Sequence, residues 1–365
     1  MSEQFECHSC STRYNVTELV WRCKCGGMLD LVKENVSFDP SRLQNEMPTM
    51  WRYQHVLPFK SDIWKSVSMG EGNTPLIVLD EKEPKTFVKV DYMMPTLSFK
   101  DRGAAVLIAK AKELGVTKVI ADSSGNAGTS IAAYAKRAGI ACDIFLSEST
   151  SPKKVAQIKA HGATIRAIKG TREDVAETAQ QAVTEEKTFY ASHVYNPFFY
   201  EGTKTYAYEI WEHMQSVPDT LIIPVGNGTL LLGAYYGFRE LMESGVTNKI
   251  PKIVAVQAEN CAPLANAFIT NQAVAEVKNT GTLAEGIAIA KPARSAHILE
   301  AVRATKGHFI TTSEEEITQA RVELAHKGFY VEPTTAANYA GYLKYHRTSE
   351  EKIVIPLCGA GIKQV

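Results

Sequence analysis

The sequence predicts an α/β protein of two domains, built on open, mostly parallel twisted sheets. The chain has 365 residues, of which 45% are hydrophobic, so it can bury a large core and exceeds the usual length of one domain. From about Gly70 onward, short β-branched runs alternate with amphipathic helical stretches. That alternation is typical of parallel sheets covered by helices.

Six near-continuous apolar runs are predicted strands, because unbroken apolar sequence of this length indicates burial on both faces. They are residues 86–90, 117–122, 142–146, 221–225, 252–257 and 352–357. Helical patterns lie between them, for example at residues 104–115, where Gly115 is the expected C-cap, and at residues 129–139. No internal repeat interrupts this order.

The charge balance favours a small-molecule partner. The chain has 40 basic and 40 acidic side chains, so no long-range field steers it toward nucleic acid or an anionic membrane. No run of about 18 apolar residues is present, and the start MSEQFECHSC resembles no signal peptide. We therefore expect a cytoplasmic protein.

Four of the seven cysteines lie within the first 25 residues. Cys7 and Cys10 form one pair, Cys23 and Cys25 another, and 12 residues separate the two pairs. This spacing predicts a small knuckle similar to a zinc ribbon, at residues 1–35, with four thiolates suited to tetrahedral, structural zinc. A knuckle that holds no metal is the alternative.

Lys100 lies in PTLSFKDRG, after a predicted strand and turn and at the start of a helix. A cation is unfavourable at the positive end of a helix, so we expect the amine to be neutralised, as it is in an imine. Read alone, the motif also fits an ordinary surface lysine.

Two glycine-rich turns each join a predicted strand to a helix. In SSGNAGTS (residues 123–130), small residues and an open helix N-terminus suit a carboxylate, and Asn126 adds an amide. In GNGTLLLG (residues 226–233), successive amides can form a nest for phosphate. The second turn departs from GxGxxG, which disfavours a dinucleotide dehydrogenase. Plain βα turns remain the alternative.

The predicted strand at residues 352–357 runs directly into CGAG. Ligands of open α/β sheets bind at the carboxyl ends of strands, so Cys358 is expected to face a bound ring, although its thiol is only a weak donor. A small packing residue is the alternative.

These elements, in this order, resemble the threonine synthases, which are fold-type II enzymes that depend on pyridoxal-5'-phosphate (PLP). The resemblance covers nearly the whole chain and includes GEGNTPL, SFKDR, SSGNAG, NPFFYEGTKT, PVGNGT, LAEGIA, VEPTTA and CGAG. It implies a lyase or synthase that converts O-phosphohomoserine to threonine and phosphate. It also implies a homodimer, with a large PLP domain (residues 36–94 and 199–365) and a small domain (residues 95–198).

The resemblance assigns a role to each motif. Lys100 would hold PLP as a Schiff base and remove the α-proton of the substrate. The other PLP-binding residues would be Asn126 at the phenolic oxygen, Gly226, Asn227, Gly228 and Thr229 at the phosphate, and Cys358 beside the pyridine nitrogen. Ser123 and Ser124 would bind the substrate carboxylate.

The chain departs from the family pattern where the substrate phosphate would bind. Similar threonine synthases read NPxRxEG, whereas this chain has Phe199 at the position of the arginine. His193 and Val194 replace an Asn-Ser pair, and Ala127 replaces a threonine. Aromatic and aliphatic groups cannot supply the charge-assisted donors that a phosphate dianion needs. The aromatic cluster around Phe199 fits a less charged pocket or plain domain packing.

Two alternatives to a threonine synthase therefore stay open. Cys358 resembles the cysteine of some serine and threonine dehydratases, which favours a β-eliminating ammonia-lyase. From a different class, the chain could be a zinc-ribbon binding module fused to an inactive PLP-fold scaffold.

Overall fold

A computed structural model describes residues 3–34, 36–44 and 46–364 of the protein. The chain divides into two units. The first unit contains the residues up to Gly72 together with Lys100–Thr203, and the second contains Asn73–Phe99 together with the residues from Lys204 onward. Three of the residues that bound the predicted domains, 1, 35 and 365, lie outside the described residues. The three-part domain division stays a prediction.

The strands and helices are numbered in chain order. The strands are β1 (Glu3–Cys7), β2 (Arg13–Asn15), β3 (Leu29–Lys33), β4 (Leu76–Val78), β5 (Thr86–Lys89), β6 (Lys118–Ala121), β7 (Ala141–Ser147), β8 (Thr164–Ile168), β9 (Phe189–Tyr190), β10 (Thr220–Pro224), β11 (Lys252–Ala258), β12 (His308–Thr312) and β13 (Ile353–Pro356). The helices are α1 (Lys100–Glu113), α2 (Asn126–Ala138), α3 (Pro152–Ala160), α4 (Arg172–Glu186), α5 (Pro197–Thr203), α6 (Thr205–Met214), α7 (Thr229–Glu243), α8 (Pro263–Thr270), α9 (Ser295–Ala304), α10 (Glu314–His326) and α11 (Pro333–Lys344).

The first unit contains a four-stranded parallel sheet in the order β8-β7-β6-β9. Helices α2 and α4 pack on its strands, and α1 packs on α2 and α5. A separate three-stranded antiparallel sheet, in the order β2-β1-β3, carries the amino-terminal cysteines. Its Phe5 packs on Phe198 of α5, with ring centroids 5.3 Å apart, so this small sheet and the helices of the unit share one apolar core.

The second unit contains a six-stranded sheet in the order β12-β11-β10-β13-β5-β4. Five of its strands are parallel, and β4 pairs antiparallel with β5 at the edge. The central strands β10, β11 and β13 are buried along almost their whole length, as their unbroken apolar sequence predicts. A buried pair, Lys89 and Glu209, lies beside this sheet with Nζ and Oε2 2.6 Å apart.

The α/β class and the mostly parallel sheets are confirmed, and each of the six predicted strands is present with no bound shifted by more than one residue. Strands β8, β9 and β12 were not predicted from the sequence. Strand β9 has only two residues, β8 is largely exposed, and β12 is only half-buried over four of its five residues. Among the described residues, no helix is both long enough and apolar enough to cross a membrane.

Candidate functional site

Lys100 is the first residue of α1, as its position before an amphipathic run predicts. Its Nζ lies 5.9 Å from the ring centroid of Phe199, which is completely buried. The next residue, Asp101, is also buried and accepts a hydrogen bond from the hydroxyl of Ser130 on α2. Contacts with α2 and with α5 therefore hold the first residues of α1 in place.

Helix α1 and helix α5 approach so closely that only glycine fits at their crossing. A Cβ built on Gly202 would lie 1.9 Å from the carbonyl oxygen of Arg102, and one built on Gly103 would lie 2.3 Å from the ring of Phe199. The aromatic residue at position 199 is therefore packed on the helix that begins with Lys100. Sequence reasoning left this packing open beside a role in a pocket.

The segment just before Lys100 is held by the CGAG motif. Within the second unit, Ser98 pairs with Gly359 in an antiparallel bridge, and the amide of Phe99 donates to the carbonyl of Cys358 at 2.9 Å. The Ser98 hydroxyl is buried and finds no hydrogen-bond partner among the described residues. These bonds tie the residues just before Lys100 to the CGAG motif within the second unit.

The SSGNAG turn connects β6 to α2, as predicted, and it is tightly wound. The amide of Gly125 lies 3.4 Å from the Ser123 hydroxyl, and a Cβ on Gly128 would lie only 1.7 Å from the Ser123 carbonyl oxygen. Asn126 is the first residue of α2, and Ala127 follows it inside the helix. Ser123, Ser124 and the first amides of α2 thus form one short segment, which suits a carboxylate.

His193 lies beside Phe199, with ring centroids 6.0 Å apart and a T-shaped arrangement. Burial lowers the pKa of His193 well below its usual value, and the positive charges of Lys100 and Arg172 lower it further. The imidazole is therefore neutral at physiological pH. Both residues belong to the first unit, so the structure brings together Lys100, Phe199 and His193 among the predicted site residues.

The GNGT turn connects β10 to α7 in the second unit, as predicted. Gly228 has a φ of +77°, and a Cβ there would lie 2.6 Å from Ile298. A Cβ on Gly226 would lie 2.8 Å from Ile289, so both positions need glycine. Within the described part of the chain, the amides of Gly226, Asn227 and Gly228 find no acceptor, and the helix starting at Thr229 follows at once. This turn can accept an anion.

Cys358 follows β13 and is buried, with 1% of its surface exposed. Its amide donates to the hydroxyl of Thr335 at 3.1 Å, and its Sγ lies 3.9 Å from the carbonyl oxygen of Pro356. Thr335 is completely buried, and sequence reasoning gave it no role. The repeated small hydroxyl residues of VEPTTA were the available signal for it.

The four amino-terminal cysteines form one cluster in the first unit, with all four Sγ atoms within 4.8 Å of one another. The Sγ atoms of Cys7 and Cys25 are 3.5 Å apart, and those of Cys10 and Cys23 are 3.6 Å apart. Sulfur ligands on a tetrahedron with metal bonds of about 2.3 Å would be about 3.8 Å apart. The donors and their spacing therefore fit zinc.

Tyr14 is a further residue at this cluster that sequence reasoning missed. Its hydroxyl lies 3.1 Å from the Sγ of Cys23 and, together with weaker hydrogen bonds from the Cys25 amide and from neighbouring thiols, lowers the pKa of Cys23 to about 6. The amide of Lys24 donates to the same hydroxyl at 3.2 Å. A tyrosine four residues after a cysteine carries no distinctive pattern, so only the folded arrangement reveals it.

Comparison with known protein families gives a match over most of the chain. Residues 67–359 match the model of the family described as pyridoxal-phosphate dependent enzymes. A threonine synthase from Methanocaldococcus jannaschii is 35% identical, over 98% of this chain and 92% of that protein. A threonine synthase from Methanosarcina acetivorans is 34% identical, over 93% of this chain and 86% of that protein.

Solved structures share the fold at lower sequence identity. Maize serine racemase aligns with a TM-score of 0.69 and 22% identity, covering 79% of this chain and 88% of that chain. A processed threonine deaminase from Solanum lycopersicum aligns with a TM-score of 0.68 and 19% identity, covering 90% and 92%. These likenesses concern the fold alone.

Proposed function

Because the chain belongs to the pyridoxal-phosphate-dependent enzymes, and within them to the threonine synthases, we propose that it converts O-phosphohomoserine to threonine and phosphate. Lys100 is the residue that would hold PLP. The observation that carries the proposal is the position of Lys100 as the first residue of α1, next to Asp101, which the Ser130 hydroxyl of α2 holds in place. Family membership favours this enzyme over an inactive scaffold.

The residues of each unit fit the cofactor. In the second unit, the open amides of Gly226, Asn227 and Gly228 and the start of α7 at Thr229 would bind the phosphate group. In the first unit, Asn126 would donate to the phenolic oxygen. Cys358 is buried, and its thiol would lie beside the pyridine nitrogen as a weak donor that leaves this nitrogen largely unprotonated.

PLP, when bound, withdraws the electrons left behind when bonds to the substrate's α-carbon break. Every other task falls to the chain. Ser123, Ser124 and the first amides of α2 bind the carboxylate, which fixes the amino acid in one orientation. The Lys100 amine would take the α-proton and would deliver a proton to another carbon of the substrate. His193 stays neutral, so it can donate one hydrogen bond without adding a charge.

A serine or threonine dehydratase is the second candidate. It is favoured by Phe199, which is completely buried and carries no charge where similar threonine synthases have an arginine. Ala127 and Val194 also favour the dehydratase, because neither side chain can form a hydrogen bond to a phosphate. A dehydratase needs no cation there, since its leaving group is water.

The two candidates are separated by offering the purified, PLP-loaded enzyme O-phosphohomoserine, threonine and serine in turn. Release of phosphate together with threonine supports the proposed function. Ammonia and a 2-keto acid from threonine or serine, without phosphate release from O-phosphohomoserine, would identify the dehydratase. The matched control is Lys100→Ala, to which borohydride reduction should no longer attach the cofactor covalently.

We also infer that the cysteine cluster holds a structural zinc ion. Four thiolates saturate a tetrahedral site, so the metal would have no open position for chemistry. The fit rests on the mutual Sγ distances and on the Tyr14 hydroxyl, which supports the charged form of Cys23. The homodimer and the cytoplasmic location stay predictions, and sedimentation of the purified enzyme would test the first.

A further inference from the structure

The small sheet formed by β1, β2 and β3 is a part of the first unit that the proposed function does not use. It lies before residue 67, where the match to the family model begins. Its strands have five, three and five residues, and a sheet of this size needs to pack against other elements. It packs on α1 and α5, the two helices that cross beside Lys100.

The buried face of this sheet ends in two charged residues. Along β1, the buried positions alternate and are Glu3, Phe5 and Cys7. Glu3 is paired directly with Lys33 of β3. Because directly paired residues direct their side chains to the same face of a sheet, Glu3 and Lys33 leave it side by side.

Each of these two residues forms a buried ion pair with a different helix. The Oε2 atom of Glu3 lies 2.6 Å from Nζ of Lys110 on α1, and the two side chains are 1% and 2% exposed. The Nζ atom of Lys33 lies 2.6 Å from Oε2 of Glu201 on α5, and each of these side chains is 7% exposed. One pair of opposite residues in the sheet therefore holds α1 and α5 at the same time.

Buried ion pairs are a poor means of simply attaching the sheet. Both charges lose their water, and an apolar pair of similar size is often as stable or more stable. Apolar attachment is already present, because Phe5 packs on Phe198. The other carboxylate oxygen of Glu3 is buried and has no hydrogen-bond partner among the described residues, which adds to the cost. What the ion pairs add is a defined position, because apolar surfaces can slide whereas charged hydrogen bonds join fixed atoms.

Both helices lead directly to the candidate site. Lys110 lies on the same helix as Lys100, ten residues further along and therefore about 15 Å away. Glu201 follows Phe199 by two residues on α5, and the Phe199 ring centroid lies 5.9 Å from the Lys100 Nζ. Sliding of either helix would therefore change the position of Lys100 relative to Phe199.

We propose that Glu3 and Lys33 are positioning residues, which fix α1 and α5 relative to each other and so hold Lys100 in its working position. Glu3 acts through Lys110 and Lys33 acts through Glu201. The proposal rests on the proposed function in one respect, the assignment of Lys100 as the residue that holds PLP. It accounts for two buried ion pairs at a place where apolar residues would suffice for attachment.

The test replaces the Glu3–Lys110 pair by two methionines, Glu3→Met with Lys110→Met, in the PLP-loaded enzyme. Because Lys110 lies about 15 Å from Lys100, the double variant removes no contact with the substrate. Glu113 also pairs with Lys110, but it keeps hydrogen bonds from two backbone amides and from a serine hydroxyl. The substitution therefore leaves no buried charge without a partner at this place.

The matched control is Glu6→Met with Arg13→Met, which removes an ion pair of the same sheet. This pair joins β1 to β2, and its side chains are 31% and 51% exposed. The readouts are kcat and KM for O-phosphohomoserine, the absorbance of bound PLP, and the melting temperature. Amide hydrogen exchange of residues 100–103 and 199–203 reports on the two helices directly.

The Glu3→Met, Lys110→Met variant should melt no lower than the control, because an apolar pair keeps the sheet attached. Its kcat should fall about tenfold while KM stays within about twofold, since a displacement of about 1 Å at a reacting group can cost about a hundredfold in rate. The absorbance of bound PLP should change. The amides of residues 100–103 and 199–203 should exchange faster than in the control.

Equal kcat and equal hydrogen exchange in the two double variants would overturn the proposal. A lower melting temperature with unchanged kcat would overturn it as well, because the ion pair would then serve only to attach the sheet. A wild-type enzyme that releases no phosphate from O-phosphohomoserine would overturn the proposed function alone. The comparison of hydrogen exchange would still decide whether Glu3 positions the two helices.

Discussion

Gly202→Ala tests the close crossing of α1 and α5. The added Cβ would lie 1.9 Å from the Arg102 carbonyl oxygen and 2.8 Å from the Cα of Gly103, whereas real Cβ contacts are essentially never below 3.0 Å. Both neighbours are backbone atoms, so no side chain can rotate away. The two helices must therefore separate by about 1 Å, inside a core where Phe199 already touches Gly103.

Overpacking of this kind costs about 1–3 kcal/mol, and the position is in the upper part of that range because only backbone shifts relieve it. Replacing glycine in a helix returns up to about 1 kcal/mol, although less near a helix end. We expect a net loss of about 2 kcal/mol. For a unit of this size the melting temperature should fall by about 4–8 °C.

The assay is thermal unfolding followed by circular dichroism, combined with the cofactor's visible absorbance. Arg102 is two residues from Lys100, so a displaced α1 should also weaken PLP binding. Gly125→Ala is the matched control, because its Cβ would meet nothing within 4 Å. A Gly202→Ala protein that melts within about 1 °C of the wild type would show that the crossing is not as tight as described.

Three further predictions concern other parts of the molecule. Lys89→Met leaves the buried Glu209 without its 2.6 Å partner and should cost about 3–5 kcal/mol in urea unfolding, whereas Lys85→Met, in an exposed pair, should cost about 1 kcal/mol or less. The folded-state pKa of His193 is lowered, so its contribution to stability is lost as pH falls below the unfolded value of about 6.5. Between about pH 7 and pH 5 the wild type should lose up to about 2 kcal/mol more than His193→Gln, and parallel profiles would contradict this. Metal analysis of the purified protein should find about one zinc ion per chain. The Cys10→Ser variant should lose the metal and unfold at a lower temperature, whereas the Cys142→Ser variant should retain the metal.

Much of the fold was predictable because the chain obeys simple periodicities. Strands β10, β11 and β13 are buried on both faces, so their apolar sequence is unbroken and easily recognised. Strand β8 has only exposed and half-buried residues, and β9 has only two residues, so neither differs clearly from a loop by composition. Tertiary pairing with β7 and β6, which leaves no local signal, makes them strands.

The site was predictable where backbone geometry demands particular residues. The positive φ of Gly228 and the Ser123 carbonyl oxygen close to Gly128 both require glycine, so these positions are recognisable in the sequence. A lysine at the start of a helix is also recognisable. Thr335 leaves only the repeated small hydroxyl residues of VEPTTA, and Tyr14 leaves no mark, because its contact with Cys23 is recognisable only in the folded protein. The packing of Phe199 on Gly103 could not be predicted either, because it depends on how two helices cross and not on a sequence motif.

The strand order of the second unit has a consequence for biosynthesis. Strand β13 is the last strand in the chain, yet it lies between β10 and β5 in the middle of the six-stranded sheet. A ribosome-bound chain that ends before Ile353 would expose the unpaired edges of both neighbours, while the four-stranded sheet of the first unit is complete once Tyr190 has emerged. The six-stranded sheet therefore forms only by late pairing of segments that are distant in the chain. During translation the four-stranded sheet can form first and the six-stranded sheet after it.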